Sequence, residues 1–470
     1  MNRIGQKLVL TWVQLGPRFL PFADAASPDM PLARLLRLSL FQVSVGMALV
    51  LLVGTLNRVM IVELGVPASL VAIMISLPVL YAPFRALVGH RSDNHRSALG
   101  WRRVPFIWMG TLIQFGGLAV MPFALLVLSG QGNAGQWPTW IGPAGAGIAF
   151  LLVGAGLHTT QTAGLALATD QASIEAQPKV VGLMYVMLLA GSIVSALVFG
   201  ALLEDFSPGR LIQVIQGSAV ATMALNIIAL WKQETRNPAP RAAAAQPPAP
   251  SFRDAWRSYI DGDHARRRLA AIGLGTMAFS MQDVLLEPYG GQILHMTVGA
   301  TTSLTASLAA GGLAGFSLAS AVLSRGADPF RMAASGAWVG IPAFALVILS
   351  GSRGSLPVFT LGVLLIGFGG RLFGHGTLTA TMNGAPKDQT GLALGAWGAV
   401  QATAAGVAVA LGGILNDVVG ALAARGLLGP PLAGAGTGYV FVYSVELVML
   451  AGTIVLMTAL IGACRRPVAA

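Results

Sequence analysis

Six ionisable side chains lie inside long apolar runs of this 470-residue sequence. They are Arg58, His158, Asp283, Glu287, Arg371 and His375. Charge is costly in an apolar run, so residues of this kind face the interior of a helix bundle and mark sites that bind ligands or carry protons. We therefore take these six residues as the candidates for a ligand-binding site.

The two histidines lie near the middle of their apolar runs. An imidazole in such a place can ligate the magnesium of a porphyrin-type pigment, relay protons, or form a hydrogen bond with a neighbouring hydroxyl group. The residues around His158 and His375 leave all three roles open.

Arg58 and Glu287 occupy corresponding positions in two similar segments, GMALVLLVGTLNR at 46–58 and GTMAFSMQDVLLE at 275–287. Arg58 lies 21 residues past Arg37, and Glu287 lies 19 residues past Arg268. At about 1.5 Å per helical residue, both side chains should lie toward the outer face of the membrane. The alignment predicts an Arg58–Glu287 ion pair, which a charge swap should partly restore. Such a pair could bind a ligand directly or only hold two halves of a bundle together.

The composition indicates an integral membrane protein. Hydrophobic residues make up 55% of the chain and charged residues only 10%, and the mean hydropathy is +0.72. Soluble domains carry about 25% charged residues, so most of this surface must face lipid. The 59 glycines suit helices that pack closely in a membrane. The single cysteine, Cys464, excludes an internal disulfide.

The sequence contains twelve apolar runs of the length that a membrane-spanning helix needs, about 20 residues. They lie at 38–64, 66–88, 104–129, 140–169, 180–203, 210–231, 269–291, 298–323, 330–350, 356–383, 390–416 and 438–462. These runs predict an all-α integral membrane fold of twelve transmembrane helices.

The basic residues predict the orientation of the chain. With the N-terminus in the cytoplasm, 23 of the 29 Lys and Arg residues fall in cytoplasmic segments, as membrane topology favours. Both termini are then cytoplasmic. The same distribution explains the net charge of +11 without nucleic acid, because the tightest cluster, 266–268, directly precedes an apolar run.

The chain divides into four parts. We predict a cytoplasmic amphipathic arm at 1–37, a six-helix half at 38–232, a cytoplasmic linker at 233–267 that contains an amphipathic helix at 251–262, and a second six-helix half at 268–470. Two six-helix halves joined by a cytoplasmic linker are the architecture of the major facilitator superfamily.

The loop GHRSDNHRSALGWRR at 89–103 resembles the cytoplasmic signature of that superfamily. Glycine permits close helix approach, and the Asp can pair with Arg or cap a helix, latching the two halves. Asn94 replaces a usual basic residue. The candidate latch residues are Gly89, Asp93, Arg96, Arg102, Arg103 and, at the end of the fourth run, Asp170.

The remaining polar residues within the runs predict helix contacts, and none forms a catalytic motif. Glu446 and Arg85 are expected to mark such contacts. The sequence contains no Walker motif, CxxC, HExxH or GxSxG, so we expect a protein that is not an enzyme and holds no resident metal.

Four stretches resemble the PucC/LhaA family, also called the bacteriochlorophyll delivery family. They are RLLRLSLFQVSVGMALVLLVGTLNRVMIVEL from Arg34, LPVLYAPFRALVGHRSDNHRSALGWRRVPFIWMGT from Leu77, HTTQTAGLALATDQA at 158–172 and FSMQDVLLEPYGGQIL at 279–294. The likeness covers nearly the whole chain and is far more specific than the general facilitator signature.

The resemblance implies an assembly factor for light-harvesting antenna complexes in the intracytoplasmic photosynthetic inner membrane of a phototrophic bacterium. Its cargo would be bacteriochlorophyll, and its partners the antenna α and β polypeptides and the machinery of bacteriochlorophyll synthesis. The opening LPFADAASPDMPLARLLRLSL resembles the branch that serves the peripheral antenna rather than the core antenna. Two alternatives remain: a proton-coupled transporter of an amphiphile or pigment precursor, using Asp283, Glu287 or Glu446, and a scaffold that binds no pigment.

Overall fold

A computed structural model describes most of the chain. The described residues are 30–81, 85, 88, 91–92, 100–130, 135–173, 176–234, 265–384 and 390–461. The predicted arm up to residue 29, the amphipathic helix at 251–262 and the latch residues Gly89, Asp93 and Arg96 lie outside them.

The described residues form twelve main helices. These are α1 Leu32–Glu63, α2 Ala68–Leu80, α3 Val104–Leu128, α4 Ile141–Asp170, α5 Gln177–Leu202, α6 Pro208–Leu230, α7 Ala265–Gln292, α8 Val298–Leu323, α9 Pro329–Arg353, α10 Leu356–Asn383, α11 Thr390–Ala424 and α12 Thr437–Thr458. All except α2 are long and apolar enough to cross a membrane. Helix α2 has 13 residues and ends just before residues 82–84, which lie outside the described residues. The predicted all-α fold is confirmed.

Helix α1 begins before the predicted run at residue 38. It starts at Leu32 and includes Arg34 and Arg37. The guanidinium group of Arg34 donates to the carbonyl and side-chain oxygens of Gln233, 2.7 and 3.2 Å away. These bonds give the guanidinium group of Arg34 polar partners beside the end of α6. Helix α1 can therefore begin in a basic segment that the hydropathy pattern places outside the apolar run.

The bundle has two sides, which we call terminal and distal. The terminal side holds the start of α1 and the end of α12, and the distal side is the opposite one. Since every helix crosses the bundle, α2, α4, α6, α8, α10 and α12 run from the distal side to the terminal side.

The two halves share a core at the distal and middle levels and have separate cores at the terminal side. The shared cluster contains residues of both halves, such as Leu56, Phe199 and Tyr289. At the terminal side, one cluster around Phe41 belongs to the first half, and another around Phe373 belongs to the second. From these clusters of described residues we infer that the halves close at the distal side and that a central cleft opens between them toward the terminal side.

Small residues bring the two halves together at two helix pairs. A Cβ added to Gly299 of α8 would lie 2.4 Å from the carbonyl oxygen of Gly200 in α5, and one added to Gly413 of α11 would lie 2.6 Å from that of Ala68 in α2. Backbones that approach so closely leave no room for a side chain. These pairs fix the closed distal side.

Helices α1 and α7 are irregular where they face each other. Helix α1 is π-helical over Val50–Leu56 and Val59–Glu63. Helix α7 is interrupted by a 3-10 turn at Met281–Val284. Such segments occur often at functional sites. They lie at the level where the shared core gives way to the central cleft.

A carboxylate of the second half caps a helix of the first. Asp417 of α11 accepts hydrogen bonds from the backbone N–H groups of Ala68 and Ser69, at 3.2 and 2.7 Å. These groups belong to the first turn of α2 and have no partner within their own helix. Asp417 therefore joins the halves at the distal side.

We predict that Asp417→Ala lowers the free energy of unfolding by about 1 kcal/mol, because it removes this cap. Asp417→Asn keeps an acceptor oxygen and should retain most of the stability. Thermal unfolding of the purified protein in detergent measures both variants. Equal losses in the two variants would show that the charge, and not the hydrogen bonding, joins the halves.

Candidate functional site

Arg85, which follows α2 in the chain, is anchored on α4 beside the central cleft. Its Nε donates to the hydroxyl oxygen of Thr162 at 3.1 Å, and its Nη2 donates to Oε1 of Gln161 at 3.2 Å. The prediction that Arg85 marks a helix contact is therefore confirmed. His158 lies one turn earlier on α4, within electrostatic range of Arg85.

Polar groups of the two halves meet through Tyr185 of α5. The phenol group of Tyr185 is within electrostatic range of Arg85 in the first half and of Arg371 of α10 in the second half. Arg371 is in turn within range of Asp283 of α7. A row of five groups, starting at His158 and ending at Asp283, thus crosses from one half to the other.

Arg371 is exposed although it lies at the middle of its helix. Its side chain runs against α8, where a Cβ on Gly312 would lie 3.1 Å from its Cγ. The ionisable groups nearest to it, Tyr185 and Asp283, belong to α5 and α7. Because the guanidinium group is enclosed by helices of both halves, the space to which it is exposed is the central cleft, not lipid.

Both predicted histidines are half-buried and carry a buried nitrogen without a hydrogen-bond partner. This nitrogen is Nδ1 in His158 and in His375. The ring of His375 packs edge-on against Phe316 of α8, with ring centroids 4.7 Å apart. A buried nitrogen without a partner costs free energy, so each imidazole can gain by binding a ligand that supplies a metal or a proton donor.

The other two predicted residues lie on the distal side. Arg58 is buried and forms an ion pair with Glu63, and it also donates to the carbonyl oxygen of Met296 at 3.2 Å. Glu287 accepts a hydrogen bond from the hydroxyl of Thr305. The predicted Arg58–Glu287 ion pair is wrong, although the two groups remain within electrostatic range.

The π-helix explains why the partner of Arg58 is Glu63. Residues five apart on an α-helix point about 140° away from each other, since each residue turns by about 100°. In a π-helix, the wider turn brings residues i and i+5 to the same side. A sequence pattern read with α-helical spacing therefore misses Glu63.

Three of the predicted latch residues meet at the terminal side. Nε of Arg103 lies 2.9 Å from Asp170, Nη2 of Arg102 lies 3.8 Å from the same carboxylate, and Arg103 also donates to the hydroxyl of Ser92 at 2.5 Å. These contacts join Ser92, the start of α3 and the end of α4 within the first half. The latch between halves stays a prediction, because Gly89, Asp93 and Arg96 are outside the described residues.

Glu234 completes this cluster and was not predicted. Its carboxylate accepts hydrogen bonds from the backbone N–H groups of Arg102, Arg103 and Val104, at 2.6 to 3.1 Å. It therefore caps α3 from the end of α6. In the sequence, Glu234 is simply an acidic residue that follows an apolar run. That position does not indicate that its partners lie about 130 residues earlier, at the start of α3.

Tyr185 is the cleft residue that sequence reasoning missed. It stands in the segment PKVVGLMY at 178–185, which resembles a segment of the second half, but a single tyrosine in an apolar helix is usual. Its importance comes from the two arginines beside it, which lie 100 residues before it and 186 after it.

Solved structures of transporters have the same fold. The nucleoside transporter NupG superposes with a TM-score of 0.65 at 15% identity, covering 91% of this chain and 99% of that one. A bacterial homologue of the lysosomal transporter Spinster, in an inward-facing conformation, superposes with a TM-score of 0.63 at 14% identity, covering 91% and 94%. The chain is a multi-pass helical membrane protein with the major facilitator fold.

The chain belongs to the PUCC protein family, whose sequence profile matches residues 55–464. It is 64% identical to Protein PucC of Rhodovulum sulfidophilum over 423 residues, 89% of this chain and 92% of that protein. It is 58% identical to Protein PucC of Cereibacter sphaeroides over 464 residues, 98% of each. It is also 27% identical to the "Bacteriochlorophyll synthase 44.5 kDa chain" of Rhodobacter capsulatus over 400 residues, 82% of this chain and 88% of that one.

We predict that Glu63→Gln destabilises the protein by about 1–2 kcal/mol, because it leaves the buried guanidinium group of Arg58 without its counter-charge. A double-mutant cycle with Arg58→Gln should show strong coupling, since both substitutions remove the same ion pair. The matched cycle with Glu287→Gln should show weaker coupling. Thermal unfolding measures the four variants of each cycle, and a larger coupling to Glu287 would refute the pairing.

Proposed function

We propose that this protein is an assembly factor for a light-harvesting antenna complex. It binds bacteriochlorophyll in the central cleft and passes it to newly inserted antenna α and β polypeptides. Membership of the PUCC protein family supports this function, as does the segment-by-segment resemblance of the sequence to bacteriochlorophyll delivery proteins. The similarity to a chain named for bacteriochlorophyll synthase supports the choice of cargo.

The observation that carries the proposal is the pair of half-buried histidines with unpartnered ring nitrogens beside the cleft. Bacteriochlorophyll is an apolar magnesium macrocycle, and a neutral imidazole nitrogen is a suitable axial ligand for its metal. His158 and His375 fit that role by their donor chemistry. A single axial bond to the cargo also permits release, which delivery requires.

The arginines of the cleft would orient the macrocycle. Arg371 is exposed to the cleft and can donate hydrogen bonds to ring carbonyl groups. Arg85 lies beside His158 but already donates to Thr162 and Gln161. Arg58, the other arginine among the six candidates, is engaged by Glu63 on the distal side. We therefore assign ring recognition to Arg371.

The protein would work in the photosynthetic inner membrane with both termini in the cytoplasm. The basic residues support this orientation, because they concentrate in the segments of the terminal side. The central cleft then faces the cytoplasmic side. Delivery requires no covalent step, so the proposed activity is not enzymatic.

Proton-coupled transport of an amphiphile is the second candidate. Its support is the fold, which the chain shares with transporters, and the carboxyl group of Asp283 within electrostatic range of Arg371. Proton-driven uptake into vesicles, without bound pigment, would favour transport. Antenna polypeptides that co-purify without pigment would instead favour a scaffold.

We predict that the protein purified from phototrophically competent cells absorbs in the near infrared. His158→Leu and His375→Leu should each lower the pigment bound per protein, and the double variant should abolish it, because neither of the proposed imidazole ligands beside the cleft remains. His295→Asn is the matched control. His295 is an exposed distal residue with φ of 53°, a conformation that Asn tolerates. Undiminished pigment in the double variant would refute ligation by these histidines.

We predict that deletion of the gene removes one antenna band from whole-cell absorption spectra. Loss of the peripheral-antenna band identifies that antenna as the client, and loss of the core band identifies the other. Spectra unchanged in both bands would contradict a role in antenna assembly.

A further inference from the structure

A small cavity lies between the irregular segments of α1 and α7, at the floor of the central cleft. Its volume is about 50 Å³. Its polar lining consists of Gln282, Asp283 and Glu287 of α7 and Thr305 of α8, with Gly54 of α1 closing one wall. A water needs about 10–15 Å³ on this measure, so the cavity admits water-sized species and not a pigment.

Two buried oxygens of this cavity have no hydrogen-bond donor. They are Oε1 of Gln282 and Oε2 of Glu287, on side chains that are 2% and 5% exposed. The other carboxylate oxygen of Glu287 accepts from Thr305, and Asp283 accepts from the amide nitrogen of Gln282. Buried acceptors without donors are costly. Water in the cavity, a proton on the carboxyl group of Glu287 or a metal cation could supply the missing partners.

The carboxyl groups around the cavity outnumber the cationic groups, so their ionised forms would leave a negative excess. Asp283 and Glu287 line it, and Glu446 of α12 is buried within electrostatic range of Asp283. Arg371 of α10 is the cation within range of Asp283, and Arg58 of α1 is within range of Glu287.

The nearby cations do not neutralise that excess. Arg58 is already paired with Glu63. Helix α8, from Val298 to Leu323, contains no charged residue, and α10 adds only His375 beyond Arg371. Uncompensated anionic charge is expensive in a membrane interior, so a cationic ligand would lower the free energy of this region.

We propose that this cavity binds a small monovalent cation, either a sodium ion or a proton. Carboxylate, amide and hydroxyl oxygens are the ligands that hard cations prefer. Cation sites of this kind form where helices are interrupted inside a membrane. The proposal is independent of pigment binding.

Occupancy of the site would stabilise the closed distal side. Glu287 presses against Gly54 of the first half, where an added Cβ would lie 2.5 Å from its Oε1, and it also bonds Thr305 of the second half. A cation that neutralises Glu287 therefore favours the contact between α1, α7 and α8. Without it, the ionised carboxyl group of Glu287 lies uncompensated at the closed interface.

Thermal unfolding of the full-length protein in detergent tests the proposal. Sodium chloride is titrated against choline chloride at constant ionic strength and pH 8, and a second series varies the pH from 8 to 5.5 in choline chloride. We expect a saturable rise in Tm of about 2–5 °C in one of the two series. A response to sodium identifies the metal ion as the occupant, and a response to acid alone identifies the proton.

Three variants separate this site from general effects of salt or pH. Glu287→Gln mimics the neutralised carboxyl group, so it should start with a raised Tm and lose the response. Thr305→Val keeps the shape of the side chain but removes an oxygen, so it should weaken the response. This variant tests the site even if Glu287→Gln fails to fold. Glu204→Gln, at an exposed carboxyl group on the distal side, should respond as the wild type does. The proposal is overturned if neither series raises Tm, or if Glu287→Gln and Thr305→Val both respond as the wild type does.

Discussion

A polar group inside a lipid bilayer must find its partner within the protein, and the arrangement of this bundle follows from that constraint. Arg58 bonds Glu63 and a backbone carbonyl, Arg85 bonds α4, and Asp417 caps α2. Each of these contacts fixes two segments relative to each other. The ionisable groups therefore set helix positions first, and the groups left without a full set of partners, such as His158 and His375, are those available to a ligand.

Much of the fold could be predicted from the sequence because hydropathy decides what lies in the membrane. The twelve runs correspond to the twelve helices, and the charges inside them point inward, as the enclosure of Arg371 and Asp283 shows. The pairing of Arg103 with Asp170 was also within reach, since the ends of consecutive antiparallel helices meet. The cost of placing charge in lipid decides the first two features, and chain connectivity decides the third.

The partners of the polar groups could not be predicted where they depend on local backbone geometry or on distant segments. Glu63 reaches Arg58 only because α1 widens into a π-helix. Glu234 caps α3 only because the end of α6 lies beside it, and Tyr185 acquires its role from arginines of both halves. Internal repetition was misleading at Glu287, because corresponding positions in two halves need not face each other. Repeats predict topology and leave side-chain pairing undetermined.

The interruption of α7 has a consequence for how this helix can move. The 3-10 turn leaves the N–H group of Gln282 outside the helical hydrogen bonding, and the carboxyl group of Glu446 in α12 accepts from it at 2.7 Å. Straightening α7 would remove that donor. Both carboxyl oxygens of Glu446, which is fully buried, would then lack a hydrogen-bond donor. The contact with Glu446 thus stabilises the interruption of α7, and we expect α7 and α12 to move together whenever the bundle changes conformation.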